Sequence, residues 1–586
     1  MRPPQLRHIL YWLIPCLVYG WAVLHSPTKL GRELFPTPDA IEYAMLANRL
    51  AHLEAPLIQV GVWEFPSRYP LSYPILLAPF AWVFNVNRLW IASALMGLVA
   101  TGLIARLGRW LMGSRAAGGL AALFWALHPT TLSSATLAMS EMGLMLVWLL
   151  LLELARPWIE QRGARQTLAR AALAGLAVGW LSVAKAPFTY WAGALGLMML
   201  LWGRRRDVLV FGGAIAACFA ANILYQRWAF GVWGMNGYRF WDPMDYTDLG
   251  VTFNLSYLTE GWKGLIPGSR PPSNLEYYGR AVFGLTHDFY APYMGVTVIA
   301  AALCAVWPRR RGRPTRPAVL LMAGWALTGA AFCLLYFFQA VRFAFIWIVL
   351  ADLLAAWGLI HVPLWAPLRR GPARRFGLKI WAQLIALLVA VLLLRGEWRR
   401  DRAMYFQSDL HGRSCLADTI PALLEQVPAG EWLISSYELP LIPFYRSTPG
   451  PNVALYASAQ DFGLLNGHVY TTSALNLKSR RTNKQQARYI DPIPYDWWPG
   501  TSLLINPAGH WQINAGERRR LFEGKPVWLL MARPTAFEPS TVYQRDVIWP
   551  ILLKEARVEL VKSLGEASLY KVRWAVPREL ADKQYE

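Results

Sequence analysis

Long apolar runs occupy most of the first two thirds of the chain, and short polar segments, many rich in arginine, separate them. Most runs approach the ~20 residues that a helix needs to cross a bilayer. About eleven candidate spans lie near 9–24, 88–107, 116–132, 141–155, 168–184, 187–202, 208–226, 291–307, 318–337, 343–360 and 380–394. The pattern predicts an α-helical polytopic membrane protein.

The sidedness of the chain depends on residues 71–86, which are apolar but contain Pro74 and Pro79. If this segment lies at the outer interface without crossing, the later arginine clusters all fall on the cytoplasmic side, as the positive-inside rule requires. We therefore predict an interfacial helix at 71–86, an uncleaved first helix and a cytoplasmic N-terminus. The predicted outer loops are 25–87, 133–140 and 227–290.

The C-terminal region, 395–586, differs in pattern from the membrane domain at 1–394, because long apolar runs give way to turns and short strand-like segments. Predicted strands include Glu431–Ser436, Ser502–Ile505 and Val527–Met531. We expect a soluble α/β domain on the outer face. No internal repeat is evident, and this argues against a transporter built from two related halves.

Composition narrows the function classes. Hydrophobic residues make up 55% of the 586-residue chain, and 58 Lys and Arg against 36 Asp and Glu give a net charge of +22. Because the arginines cluster in short loops between apolar runs, this charge indicates membrane topology and no nucleic-acid partner. The five cysteines form no CxxC pair, so neither a disulfide framework nor a cysteine metal site is predicted.

Two acids stand at the start of a predicted helix at 39–53. Asp39 and Glu42 are three residues apart and therefore share a face, with Thr37 as the expected cap and Pro38 in the first turn. An acid at this position also has a simpler explanation, because it complements the positive end of the helix dipole.

Further charged residues occur at the predicted outer ends of other spans. Arg68 lies in the first outer loop, and Glu141, Lys185 and Arg342 lie beside later spans. Cations at an interface can hold a phosphate while a carboxylate accepts a proton. Lys and Arg near helix ends also snorkel to lipid headgroups without any catalytic role.

The chain resembles the GT-C superfamily of polytopic glycosyltransferases, in particular the group with protein mannosyltransferases and lipid A aminoarabinose transferases. Asp39 with Tyr43 is similar to the acidic outer-loop signature of that family, and Ser140-Glu141 is similar to its second-loop acid. The remaining matches are Tyr69-Pro70-Leu71-Ser72-Tyr73-Pro74, Gly175 to Gly179 followed by Lys185-Ala186-Pro187, Arg342, and the tail segment Ala567 to Val572.

The resemblance implies an inverting transfer of a sugar from a polyprenyl-phosphate carrier to an acceptor at the outer face of a bacterial inner membrane. Asp39 would be the general base and Glu141 would orient the acceptor or assist, while Arg68, Lys185 and Arg342 would bind the carrier phosphate. Secondary candidates are Glu42, Tyr43, Tyr69 and His287.

Two departures from the family pattern leave the metal requirement open. Ala40 follows Asp39 where many members have a second acid, and Lys185 stands where arginine is frequent. A divalent metal is neither required nor excluded. The sequence identifies neither the sugar nor the acceptor, which is a glycan, a lipid or a protein.

Two other functions remain alternatives. A flippase or transporter for the lipid-linked sugar would also need cations for the phosphate, although the acids here lie at the outer edge of the spans and not at their centre. A non-catalytic assembly subunit would use the C-terminal region to bind partners.

Overall fold

The computed structural model describes residues 3–26, 29–31, 38–60, 63–67, 69–160, 167–202, 204–231, 233, 236–237, 253–260, 272–282, 316–336, 339, 341–361, 416–428, 432–435, 444, 453–456, 503–505, 511–513, 527–532, 556–565 and 567–574. Helices dominate the part before residue 362, and a small sheet occupies the C-terminal part.

Within the described residues, ten α-helices precede residue 231. They are α1 Pro3–Leu24, α2 Pro38–Ala51, α3 Ser72–Ala81, α4 Trp90–Met112, α5 Arg115–Leu127, α6 Pro129–Thr136, α7 Ser140–Ile159, α8 Leu168–Ala184, α9 Tyr190–Trp202 and α10 Arg205–Phe230. Four more follow, namely α11 Asn274–Val282, α12 Arg316–Cys333, α13 Phe345–His361 and α14 Leu416–Leu424. Short 3-10 helices at Ala186–Thr189 and Val341–Ala344 precede α9 and α13.

The helix bounds agree with the apolar pattern at most positions. The helix predicted at 39–53 is α2, and α8 coincides with the run at 168–184. The span predicted at 116–132 is wrong as one helix. Extended backbone at His128 ends α5, and Pro129 begins α6 as its first residue, because proline cannot continue a preceding helix.

Three of the described helical segments are long and apolar enough to cross a bilayer, at Val86–Met112, Ser140–Ile159 and Arg205–Phe230, with six shorter apolar helices beside them. The predicted runs 291–307 and 380–394 lie outside the described residues, so the count of about eleven spans stays a prediction. The ten-residue helix α3 covers only ~15 Å, about half the thickness of a bilayer core.

Close helix contacts in the bundle depend on glycine. Gly118 of α5 packs directly against the backbone of α4 at Ala105. Gly175 and Gly179 of α8 face α10, where a β-carbon at Gly179 would lie 2.8 Å from Cβ of Cys218. Small residues that let helix backbones approach are typical of membrane helix interfaces.

The strands of the C-terminal sheet are β3 Trp432–Ser435, β4 Val453–Tyr456, β7 Val527–Ala532, β8 Ala556–Leu564 and β9 Ala567–Trp574. Their order across the sheet is β4-β3-β7-β9-β8. Strand β3 runs parallel to β4 and β7, whereas β9 is antiparallel to β7 and β8. A separate hairpin pairs β5 Leu503–Ile505 with β6 Trp511–Ile513. All three strand segments predicted from sequence are present, while the domain boundary at 394 lies outside the described residues.

A hydrophobic cluster joins α2 and α3 to the C-terminal part of the chain. It includes Ile41 of α2, Leu77 of α3, Leu423 of α14, Leu530 of β7 and Leu569 of β9, all fully buried. The hairpin of β1 Leu57–Val60 and β2 Trp63–Pro66 connects α2 to the residues before α3. This cluster packs α2 together with α3 and the C-terminal strands.

Because α8 and α10 are in close contact, a larger side chain at Gly179 should lower the stability of the fold. Gly179→Leu should lower the free energy of unfolding by ~1–3 kcal/mol, because the new side chain must displace Cys218. The matched control is Gly213→Leu on α10, where no described atom lies within 4 Å of an added β-carbon. Thermal unfolding of both detergent-solubilised variants checks this. Equal midpoints would contradict close packing of α8 on α10.

Candidate functional site

The site is built around the carboxylate of Asp39 in the first turn of α2. The hydroxyl of Tyr69 donates to its Oδ1, and Nη1 of Arg342 donates to its Oδ2. The side chain of Asp39 is 13% exposed, whereas that of Arg342 is 33% exposed. The ion pair is therefore sheltered on the acid side and accessible to a ligand on the arginine side.

Two cations share one aromatic ring. Arg342 lies in the Val341–Ala344 helix, and its Cζ is 5.5 Å from the ring centroid of Phe343. Nζ of Lys185 is 5.0 Å from the same centroid. Lys185 comes directly after α8, where its backbone turns extended before the Ala186–Thr189 helix. Cation–π attraction to one ring holds both positive groups near Asp39.

The electrostatics of the two cations differ. Burial is the largest influence on Lys185 and lowers its pKa below the ordinary 10.5, while Glu141 and Asp39 oppose this shift and Arg342 adds to it. Burial also acts to lower the pKa of Arg342, but the carboxylates of Asp39 and Glu141 outweigh it and raise the pKa above its ordinary value. Arg342 is therefore a permanent cation, whereas Lys185 loses its proton at a lower pH than a surface lysine does.

Glu42, one helical turn after Asp39, has a structural partner. The hydroxyl of Ser67 donates to Oε2 of Glu42 at 2.8 Å and accepts from the backbone N–H of Tyr69 at 3.0 Å. Both Glu42 and Ser67 are buried. The ring of Tyr43 packs between those of Tyr69 and Tyr73, with centroids 5.1 and 5.2 Å apart. These contacts hold Tyr69 in position to donate to Asp39.

Glu141, in the first turn of α7, is only 2% exposed. The hydroxyl of Ser140 donates to its Oε2 at 3.5 Å. Its charge acts on both Lys185 and Arg342. The adjacent helix α3 is tied to α4 by the Tyr73 hydroxyl, which donates to Ser93 Oγ at 3.0 Å. Because Glu141 is buried, water screens its charge little, and it acts as a counter-charge for the two cations.

The structure thus brings together Asp39, Tyr69, Lys185 and Arg342, with Glu141 in electrostatic reach and Glu42 and Tyr43 as supports. The predicted candidates Arg68 and His287, and the expected cap Thr37, lie outside the described residues. Among the residues that are described, no group of three His, Cys, Asp or Glu side chains is arranged to hold a metal ion.

Sequence reasoning missed two residues at this site. Phe343, which contacts both cations, directly follows Arg342 in the sequence, and an aromatic residue beside a candidate cation is a usable signal. Ser67, the partner of Glu42, directly precedes Arg68, but nothing in a single sequence indicates that it returns to α2.

Comparison with known proteins identifies the fold. No protein-family model and no curated protein matches the chain. Two crystal structures of ArnT from Cupriavidus metallidurans, one bound to undecaprenyl phosphate and one in the apo state, match with TM-scores of 0.51 and 0.53. Each is 13% identical and covers 96% of this chain and 97% of ArnT.

A third match is the apo oligosaccharyltransferase of Archaeoglobus fulgidus, at 12% identity and a TM-score of 0.48, covering 96% of this chain and 88% of that one. From the ArnT matches, the chain has the fold of the GT-C glycosyltransferases, which confirms the fold expected from the sequence resemblance.

The Glu42–Ser67 contact predicts how substitutions of Glu42 should rank. Glu42→Ala leaves the buried Ser67 hydroxyl without its acceptor and should cost ~1–3 kcal/mol of stability, whereas Glu42→Gln retains an acceptor oxygen and should cost less. Thermal unfolding of both variants measures these losses, and repeating it with a divalent cation and with EDTA tests whether Glu42 binds a metal ion. Should the wild type gain stability from the cation and both variants lose that gain equally, Glu42 is a metal ligand and the structural assignment is wrong.

Proposed function

We propose that the protein is a membrane glycosyltransferase that moves a sugar from a polyprenyl-phosphate carrier to an acceptor at the outer face of the membrane. The proposal rests on the carboxylate of Asp39, which Arg342 and Tyr69 both contact. Lys185 and Arg342 lie against the same aromatic ring, that of Phe343. One acid and two cations at one point on a GT-C fold suit this transfer.

Lys185 and Arg342 supply the charge for the donor. A polyprenyl phosphosugar is a phosphodiester with one negative charge. Asp39 and Glu141 balance the two cations in the free site, so the phosphate must take the place of Asp39 as the partner of Arg342. The related fold of ArnT, whose structure contains undecaprenyl phosphate, supports a polyprenyl carrier. Phe343 positions both cations and keeps them within reach of one phosphate. Arg68 is a further candidate for the same phosphate.

Asp39 is the proposed general base. Donor phosphate competes with Asp39 for Arg342, and a carboxylate released from this ion pair becomes a better proton acceptor. The acceptor hydroxyl or amine attacks C1 of the sugar and gives its proton to Asp39, while the bond from C1 to the phosphate oxygen breaks. The carrier leaves as a phosphate monoester, whose added negative charge Arg342 and Lys185 stabilise. A single displacement of this kind inverts the configuration at C1.

The other residues have supporting roles in this proposal. Tyr69 orients the carboxylate of Asp39, and Glu42 with Ser67 orients Tyr69. Glu141 keeps Lys185 charged, because its carboxylate raises the pKa that burial lowers. His287 remains a secondary candidate from the sequence.

The proposed topology follows the arginine clusters and the resemblance. The protein is a multi-pass protein of an inner membrane, with the N-terminus in the cytoplasm and the C-terminal domain outside. The donor carries a hexose or a pentose, and the acceptor is a glycan, a lipid or a protein.

Sugar transfer in membranes tests this function directly. Membranes holding the wild type should release label from a set of radiolabelled polyprenyl-phosphate sugars, and Asp39→Asn should lower that rate by at least ~100-fold, the usual size of a general-base effect. Glu54→Gln is the control, because it alters an exposed acid of the same outer region. Equal abundance and thermal stability of the variants exclude misfolding. Full activity of Asp39→Asn would remove the base assignment.

The lowered pKa of Lys185 predicts a pH dependence for donor use. Lys185 must be charged to bind phosphate, so kcat/KM for the donor should fall as pH rises through its pKa, which lies below the ordinary 10.5. The phosphodiester itself does not titrate in this range. Lys185→Arg keeps its charge and should flatten the alkaline limb. An unchanged limb in Lys185→Arg would assign that titration to another group.

A further inference from the structure

A second polar cleft opens on the outer part of the molecule, away from Asp39. It has a volume of about 410 Å³ and lies between the end of α2, the segment that joins α3 to α4, and Phe444 of the C-terminal region. Cavities that hold small ligands in proteins have a similar size, ~300–1,000 Å³. None of the residues assigned to sugar transfer lines this cleft.

An exposed indole forms one wall of the cleft and is held in a defined orientation. The side chain of Trp82 is 73% exposed, yet its indole N–H donates to the backbone carbonyl of Ala51 at the end of α2. This bond ties the ring to α2 and leaves its face to solvent. Phe84 and Phe444 add two further aromatic rings to the lining. A fixed, exposed aromatic face is a ready surface for stacking against the apolar face of a ligand.

The polar groups of the cleft are amides and one imidazole. Within the described part of the chain, the side-chain amides of Asn48, Asn85 and Asn87 have no hydrogen-bond partner, and all three line the cleft. Nδ1 of His52 lies 2.8 Å from the carbonyl of Asn48. Because a carbonyl only accepts, Nδ1 carries the proton, and Nε2 of the neutral ring is an acceptor. The cleft therefore offers several unused donors and acceptors.

The charge of the lining narrows the ligand class. None of the ten described lining residues is Lys, Arg, Asp or Glu, in contrast to the site at Asp39. A phosphate or carboxylate ligand would need a cation to replace its hydration. A neutral saccharide matches this lining, because its hydroxyl groups hydrogen-bond to amides and its C–H face stacks on aromatic rings.

We propose that this cleft is a binding site for a neutral saccharide, separate from the site of transfer. Asn48 follows Asp39 by nine residues, which places it ~14 Å further along α2 and on the opposite face of the helix. A sugar bound here does not reach Asp39. If the proposed transferase function holds, the cleft anchors a remote part of a glycan acceptor while another part reacts.

Direct binding tests the proposal without any transfer reaction. The full chain in nanodiscs is titrated with three uncharged trisaccharides, namely maltotriose, cellotriose and tri-N-acetylchitotriose, by saturation-transfer NMR and calorimetry. At least one should bind saturably to the wild type. Trp82→Ala should weaken that binding at least tenfold, and Asn87→Ala should weaken it while leaving the aromatic wall intact. Trp228→Ala, which removes an exposed indole of α10 outside the cleft, should not change it.

Two outcomes would overturn the proposal of a saccharide site, and neither depends on the sugar-transfer reaction. One is the absence of saturable binding of all three trisaccharides to a preparation with normal thermal unfolding. The other is wild-type affinity in both Trp82→Ala and Asn87→Ala. If Trp82→Ala proves unstable, Asn87→Ala and the double variant Asn85→Ala/Asn87→Ala decide the question. Failure of the transferase proposal would appear separately, as active Asp39→Asn protein with unchanged trisaccharide binding.

Discussion

The ion pair between Asp39 and Arg342 joins two parts of the chain that are 303 residues apart. Asp39 lies in the first turn of α2, and Arg342 belongs to the short helix before α13, so the pair connects the N-terminal part of the chain to a late part of the helical region. Because Asp39 is largely sheltered while Arg342 is a third exposed, loss of the partner should cost less than the ~3–5 kcal/mol of a fully buried ion pair. Tyr69 contacts Asp39, and Phe343 lies beside both Arg342 and Lys185, so these residues meet at the ion pair.

The two carboxylates of α2 have different tasks, although both are one turn apart on one helix face. Asp39 forms the ion pair with Arg342, and Arg342 is the more exposed of the two side chains. Glu42 is buried and accepts from Ser67, which in turn holds the backbone of Tyr69. In the proposed reaction, Asp39 changes partner when the donor phosphate binds, while Glu42 keeps Ser67 and Tyr69 in place. This separation fits a reaction in which a base must be released without disturbing its support.

Sequence reasoning predicted the helices well where the local pattern decides them, as at α2 and α8, and the strands β3, β5 and β7 where turns bound an apolar segment. It failed at 116–132, where a single apolar run continues across Pro129 and conceals a break. Charged candidates were predictable because polar groups are costly within apolar runs. The partners that orient them, Ser67 and Phe343, depend on tertiary contacts between distant segments, which hydropathy does not record.

A structure of the full chain in nanodiscs with undecaprenyl phosphate, determined by electron cryomicroscopy, tests the central claim most directly. The account predicts that the phosphate lies between Nζ of Lys185 and the guanidinium of Arg342, with Arg342 turned from Asp39 towards it. Phosphate density away from both cations, with the Asp39–Arg342 ion pair unchanged, would contradict the account.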